Sequence, residues 1–187
     1  MIRILFMKKK VFDEIPHIES DRLVLKKIED EDSDALDELR NSKVVAKYLP
    51  TFLFEYKYDD IHVVIDKMYS KSFADHESVF MGIYTKDDME FCGIAEFYGF
   101  KDSIHKVSIG IRLREKAFGK GIATEAIGMM TDYLTNETDT EIIAASTLPD
   151  NSGSAKALVK NGFQLVVHNS DEDWGFDEPL PTDKWIL

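Results

Sequence analysis

The chain has 187 residues, 23 Lys and Arg against 35 Asp and Glu, a formal net charge of -12 and 44% hydrophobic residues. That length predicts a single domain over residues 1–187 with room for a sizeable core. The composition excludes a disordered tail or a collagen, and no apolar run approaches the roughly 18 residues of a membrane span. A surface this acidic predicts no nucleic-acid partner, because a phosphate backbone is held by a basic face that displaces its counterions. It suits a cationic partner such as an amine; equally, acidity alone serves solubility.

Residues 1–17 read as an N-terminal extension. The apolar run in Met1–Lys10 is short, its basic cluster Lys8-Lys9-Lys10 follows rather than precedes it, and no small-residue cleavage site appears, so it does not read as a signal peptide. Met7 is a second candidate start. Cys92, the single cysteine, has no partner for an internal disulfide and excludes a Cys-cluster zinc site, which predicts a reducing, cytoplasmic compartment.

In chain order, residues 22–28 alternate as a strand, with Leu23 and Leu25 inward. A helix follows over 29–39, with Ser33 or Asp30 as its cap. Residues 44–54 are aromatic and irregular. Residues 59–73 carry Ile61, Val64, Ile65, Met68 and Tyr69 at helical spacing. Strands over 78–85 and 90–100 flank a polar turn, and 106–113 forms a third strand. The period then changes: helix over 124–134, strand over 141–148, helix over 152–160 closed by Asn161-Gly162, strand over 163–168, and a last strand over 184–187. An antiparallel meander feeding a β-α-β crossover predicts an α/β fold, a mixed and mostly antiparallel sheet with helices on both faces.

The informative segment is Phe118-Gly119-Lys120-Gly121-Ile122-Ala123, where a strand gives way to a helix. Glycines there let backbone N–H groups face outward and a ligand approach closely. The first N–H groups of a helix lack internal partners and carry the positive end of its dipole, which suits a pyrophosphate. Glycines at such a turn also serve purely steric needs. The spacing is neither a Walker loop nor a dinucleotide fingerprint.

At this segment the chain resembles the GNAT superfamily of N-acetyltransferases, and within it the branch that acetylates ribosomal-protein N-termini. The family's Gln/Arg-x-x-Gly-x-Gly/Ala motif reads Phe118 to Ala123 here, with Phe118 in place of Gln or Arg. Asn151-Ser152-Gly153-Ser154 followed by Gly162-Phe163 resembles a second block. Ile18-Glu19-Ser20-Asp21-Arg22-Leu23-Val24-Leu25 resembles the branch's first strand. The resemblance spans residues 18–187. It implies direct transfer of an acetyl group from acetyl-coenzyme A, as co-substrate and without a metal, to a primary amine. The acceptor is a small molecule or a peptide N-terminus, and the protein a monomer or homodimer. Backbone groups of Ile111, Arg112 and Leu113 would pair with the pantetheine arm. The amides of Phe118, Gly119, Lys120, Gly121, Ile122 and Ala123 would hold the pyrophosphate, and Asn151 the coenzyme arm. Asn151 reads equally as a helix cap.

Two positions depart from the family pattern. A tyrosine that protonates the leaving thiolate is replaced by Leu158, and a strand carboxylate by Ser108. By resemblance Ser154 takes the first role, although a serine in a first turn is also ordinary capping. Glu96, between Ala95 and Phe97 on one face with Ile94 and Tyr98, is the candidate base; a solvent-facing strand residue is the alternative. Glu125 reads as a partner of the helix dipole. The five histidines are scattered without metal spacing, His168 being the one expected near the cleft end of its strand. Cys92 reads as core. The acceptor is expected to meet residues 48–73 and the acidic, aromatic segment 170–178. These departures also support an acyl-coenzyme A binding or regulatory module without catalysis.

Overall fold

The computed structural model describes residues 10–48, 55, 58–174 and 178–187. The two candidate starts, Met1 and Met7, and most of the irregular aromatic stretch lie outside the described residues.

Among the described residues the strands are β1 (Ile18–Glu19), β2 (Leu23–Lys26), β3 (Ser78–Thr85), β4 (Phe91–Lys101), β5 (Lys106–Leu113), β6 (Ile142–Thr147), β7 (Gln164–Glu172) and β8 (Leu180–Ile186). They form one sheet in the order β1-β2-β3-β4-β5-β6-β8-β7. All pairings are antiparallel except β5 with β6. The helices are α1 (Ser33–Asn41), α2 (Lys43–Ala46), α3 (Ile61–Val63), α4 (Ser70–Ala74), α5 (Ile122–Glu137) and α6 (Ser152–Lys160). The expected mixed sheet with helices on both faces is the one found.

Strand alternation divides the core into two layers. Val79, Met81 and Ile83 of β3 point with Ala95 and Phe97 of β4 toward α5 and α6, meeting Ala126, Met130, Leu134 and Leu158. Phe80 and Tyr84 point the other way with Ile94, toward Leu36 and Leu39 of α1 and Val64 and Tyr69. Val11 is buried in the first layer and Phe12 packs tilted against Phe73 and Phe100, so residues 11–12 of the expected extension pack onto the sheet. Among the described residues no helix is long and apolar enough to cross a membrane.

Several boundaries differ for physical reasons. The helix after β2 is not capped by Ser33 or Asp30. Instead the Glu29 amide donates to Asp32 Oδ2 at 2.9 Å, and a short 3-10 turn, Asp30–Asp32, precedes α1. Residues 43–46, expected to be irregular from Val44 onward, form α2, capped by Ser42 Oγ. The helix expected over 59–73 contains a π-helical stretch, Val64–Tyr69, between α3 and α4. One extra residue in a turn rotates the residues after it, a distortion common near functional sites. Here the stretch ends on Tyr69, buried and stacked on Phe80 with centroids 4.3 Å apart. β7 runs to Glu172 and β8 begins at Leu180. This outer hairpin has mostly exposed residues on β7 and no burial alternation there for the sequence to display.

The end of α6 follows expectation. Gly162 adopts φ +85°, the Phe163 amide donates to the Leu158 carbonyl and the Gly162 amide to that of Val159, closing a left-handed cap. Asn161 Nδ2 donates to the Thr124 carbonyl at 2.9 Å, tying α6 to α5.

Gly93 sets the spacing of β4 against β5. A Cβ there would lie 2.1 Å from the Arg112 carbonyl oxygen and 2.8 Å from Leu113 Cα, both backbone atoms that cannot rotate aside. Gly93→Ala is therefore expected to lower stability by about 3 kcal/mol, the upper range for overpacking. Urea unfolding reads this as a lower midpoint; an unchanged midpoint would mean that the strand pair yields freely.

Candidate functional site

The site begins where the one parallel pair in the sheet ends. β5 and β6 are paired at Lys106↔Ile142, Val107↔Ile143 and Ser108↔Ala144, and no further. β5 continues for five residues, held on its other edge by β4 as far as Gly93↔Leu113. The edge of residues 109–113 that faces β6 thus has no strand partner among the described residues, and its backbone groups border a gap. α6 starts just beyond β6, so Asn151, Ser154 and Leu158 also line the opening. The cleft has a volume of about 880 Å³ and runs across the sheet edge to Tyr58 and Met68 on one side and Trp174 on the other.

The glycine turn lies one short loop past the end of β5. Gly119 has φ +72° and Gly121 φ +79°, conformations that a side chain resists. A Cβ at Gly119 would meet nothing within 4 Å, so its requirement is conformational rather than steric. Gly121 is the N-cap of the 16-residue α5, and no side chain caps that end. The first amides of α5 are left to a ligand or solvent. Phe118 is exposed, as are Gly119, Lys120 and Gly121, while Ile122 is buried and Ala123 half-buried. The turn does not line the 880 Å³ cleft; it lies on the surface past the end of β5.

A polar clamp fixes this helix start. Ser20 Oγ donates to Glu125 Oε1 at 2.7 Å and Arg22 Nε to Glu125 Oε2 at 2.7 Å. Arg22 Nη1 reaches the Lys120 carbonyl at 3.4 Å. The segment between β1 and β2 therefore braces the glycine turn from outside. Burial raises the Glu125 carboxyl, but the hydrogen bonds from Ser20 and Arg22 outweigh it and bring it below its ordinary value.

Deeper in the cleft, Glu96 faces the same side of the sheet as Phe80, its partner on β3, and stands opposite Gly110 of β5. Ser78 Oγ donates to its Oε1 at 3.1 Å, and Arg112 Nη2 lies 3.6 Å from its Oε2. Arg112 Nη1 donates to Glu55 Oε1 at 2.8 Å, and Tyr69 Oη donates to the same oxygen at 3.2 Å. Burial pushes the Glu96 carboxyl above its usual range; Arg112 and Ser78 oppose that, and the Glu55 charge adds to it. Burial disfavours the Arg112 charge, but Glu55 and Glu96 more than restore it, so the guanidinium stays protonated.

The matching family model is the acetyltransferase (GNAT) domain, over residues 22–164. The chain belongs to the GNAT acetyltransferase family. An uncharacterised N-acetyltransferase of Bacillus subtilis, YoaA, is 25% identical over 80% of this chain and 83% of its own. The ribosomal protein uS5-alanine N-acetyltransferase of Escherichia coli is 27% identical over 49% of this chain and 48% of its own. Among solved structures, a spermidine N-acetyltransferase of Vibrio cholerae in complex with coenzyme A and spermine superposes with a TM-score of 0.73. It is 17% identical and covers 90% of this chain and 96% of that one, a likeness of fold. The GNAT domain here is that of an N-acetyltransferase using acetyl-coenzyme A.

Within this GNAT domain the predicted residues separate into two groups. Ile111, Arg112, Asn151, Ser154 and Glu96 come together around the cleft. Leu113 and residues 118–123 lie beyond its end. Asn151 Oδ1 accepts the Ser154 amide at 3.1 Å, so Asn151 does cap α6 while also lining the cleft. Leu158 is buried against the opening and offers no proton. Ser108 accepts from Lys106 Nζ at 2.8 Å and does not line the cleft. His168 is not at the cleft either: its Nδ1 pairs with Asp183 at 2.7 Å on the outer hairpin. Cys92 is buried in the core, and burial raises its thiol. Among the described residues no three His, Cys, Asp or Glu side chains gather as a metal site.

The sequence reading missed Glu55, Tyr69 and the Arg112 side chain. An arginine between Ile111 and Leu113 in a strand covered on both faces is a signal that a buried carboxylate must lie near. Nothing local marks which one.

The Glu125 clamp carries its own test. A carboxylate held below its ordinary pKa stabilises the fold above the unfolded-state value, and that contribution is lost as pH falls through the folded value. Glu125→Gln is expected to cost about 1 kcal/mol at neutral pH, given a partly exposed pair at a helix start. The difference from the unsubstituted protein should vanish in acid below the carboxylate range. A deficit that persists there would point to packing rather than charge.

Proposed function

We propose that this acetyltransferase receives a primary amine on the Glu96 side of the cleft and uses that carboxylate to take its proton. The observation that carries this reading is Glu96 itself: a carboxylate on the cleft wall, raised by burial, sharing that cleft with Ser154 and the unpaired edge of β5. The acceptor arrives as an ammonium and passes one proton to Glu96, directly or through water. The neutral nitrogen then attacks the thioester carbonyl and forms the N–C bond; the tetrahedral intermediate gives up its second N–H proton to solvent as it collapses and the C–S bond breaks. Amides bordering the gap steady the oxyanion, and the thiolate takes a proton from the Ser154 hydroxyl or from solvent. The products are an acetamide, coenzyme A and one released proton.

In the donor half, backbone groups of Ile111, Arg112 and Leu113 pair with the pantetheine arm, and the amides of residues 118–123 hold the pyrophosphate. The carboxamide NH2 of Asn151 donates to the coenzyme arm while its oxygen caps α6. We read residues 1–187 as one catalytic domain, a cytoplasmic monomer or homodimer with no nucleic-acid or membrane partner, on the strength of its net charge of -12 and acetyl-coenzyme A as donor. The relatives act on ribosomal-protein alanine and, in the structural neighbour, on spermidine. Both acceptor classes are amines. Leu158 in place of a tyrosine favours one other reading, a coenzyme-binding module without turnover.

Free-thiol release over a panel of amines separates the two. Glu96→Gln is expected to lower kcat by about 100- to 1000-fold, the usual worth of a general base. In the unsubstituted enzyme activity rises with pH as Glu96 ionises, so the acidic limb should lie above the ordinary carboxylate range and be absent in Glu96→Gln. Gly121→Trp is expected to abolish acetyl-coenzyme A binding in calorimetry. A Glu96→Gln enzyme that keeps its rate would remove Glu96 from the chemistry.

A further inference from the structure

The wall that carries Glu96 has an unbalanced charge. Glu55 and Glu96 both face Arg112, and no second cation joins them among the ion pairs of the described residues. The Glu55 side chain is 1% exposed. Its Oε1 is taken by Arg112 and Tyr69, but its Oε2 is buried and has no hydrogen-bond partner among the described residues. A buried carboxylate oxygen without a donor is costly, and such atoms persist where a ligand completes them. An ammonium supplies three donors, together with the missing charge.

The imbalance continues outward. Five carboxylates line the cleft, Glu55, Glu77, Glu96, Glu172 and Asp173, against only Lys71 and Arg112 among the described residues. Lys71 is turned to Asp75, and Glu172 is paired with Lys184. Glu77 forms no ion pair among the described residues. It lines the same opening from the bend just before β3, the strand whose Phe80 pairs with Glu96. Tyr58 and Trp174 add aromatic faces to the same opening, which favour cations over anions.

Resting on the proposed amine acceptor, we propose that the substrate is a linear di- or polyamine rather than a monoamine. One ammonium is received by Glu55 Oε2 and Glu96, and a second by the outer carboxylates, Glu77 first among them. Both anionic positions line one continuous cleft, so one linear chain with an amine at each end can meet both. A peptide N-terminus with a neutral tail would leave the outer position unfilled.

Calorimetry on the protein saturated with coenzyme A tests this without requiring turnover. 1,4-Diaminobutane and spermidine are compared with n-butylamine and with a peptide of neutral side chains bearing a free N-terminus. The diamine and spermidine are expected to bind about tenfold more tightly than n-butylamine, as a second near-surface ion pair allows, with the advantage shrinking at high salt. Glu77→Gln should bring the two within about threefold while leaving coenzyme A affinity unchanged. Glu55→Gln should weaken every amine, and if that variant does not fold, the Glu77→Gln comparison decides alone. Equal affinity for n-butylamine and 1,4-diaminobutane would overturn the proposal, as would tighter binding of the neutral peptide or a preference untouched by Glu77→Gln. Tight dication binding with no thiol released from acetyl-coenzyme A would uphold the charge assignment and sink the catalytic reading instead.

Discussion

Parallel strands in this sheet share hydrogen bonds over only three residue pairs before β5 and β6 part, and the rest of the molecule is arranged around that parting. A strand edge inside a protein normally finds a partner, because unpaired amides and carbonyls are expensive to bury. Here each strand of the diverging pair is secured on its far side. β4 holds β5 as far as Leu113, and β8 holds β6 from Ala144 to Thr147. The two halves of the sheet therefore keep their shape while the inner edges stay open. An extended ligand with amides along its length is the natural occupant of such an edge. Because the two strands are parallel, α5 and α6 both start beyond their C-terminal ends, one on each side of the gap, each continuing from one of the two strands.

Burying Arg112 at this parting looks unfavourable until its neighbours are considered. A guanidinium that is 5% exposed loses most of its hydration, and the attraction of a carboxylate seldom more than offsets that loss. Replacing such a pair by apolar side chains is often neutral for stability, so stability is a weak reason for its presence. Position is a better one. Arg112 links β5 to Glu55, in the segment between α2 and α3, and Phe80 lies 5.7 Å from its guanidinium carbon. Through that contact the strand that borders the gap is fixed to the wall that carries the carboxylates. Tyr69, delivered by the π-helical stretch, adds a second hydrogen bond to the same Glu55 oxygen. A regular helix there would have turned the residues after the stretch to a different face.

What could be read from the sequence was whatever depends on local rules. The meander, the crossover and the closure of α6 at Asn161-Gly162 were legible because alternation, helical spacing and left-handed glycine each act within a few residues. The glycine turn was legible for the same reason: Gly119 and Gly121 are needed for their own backbone angles. Glu96 was legible as a carboxylate out of place between Ala95 and Phe97. Glu55 was not, because its partner Arg112 is 57 residues away and its surroundings carry no period. The clamp on Glu125 was half legible. A carboxylate in the first turn of a helix announces a dipole interaction, whereas Ser20 and Arg22 arrive from more than 100 residues upstream. The outer hairpin was misjudged in length because the exposed residues of β7 leave no pattern to read.

The two polar devices are separate in space, and this has a consequence for how the site tolerates change. The Ser20–Arg22–Glu125 clamp acts on the start of α5, outside the cleft and within reach of solvent. The Glu55–Arg112–Glu96 cluster acts inside it, on the wall beside the open edge of β5. No hydrogen bond or ion pair among the described residues joins one to the other. Perturbations at sites without shared partners add nearly independently. Changes at the start of α5 and changes at the carboxylate wall are thus expected to act one at a time. A chain that kept the clamp and changed only the side chains at positions 55 and 96 would keep the same start of α5 beside a cleft wall of different charge.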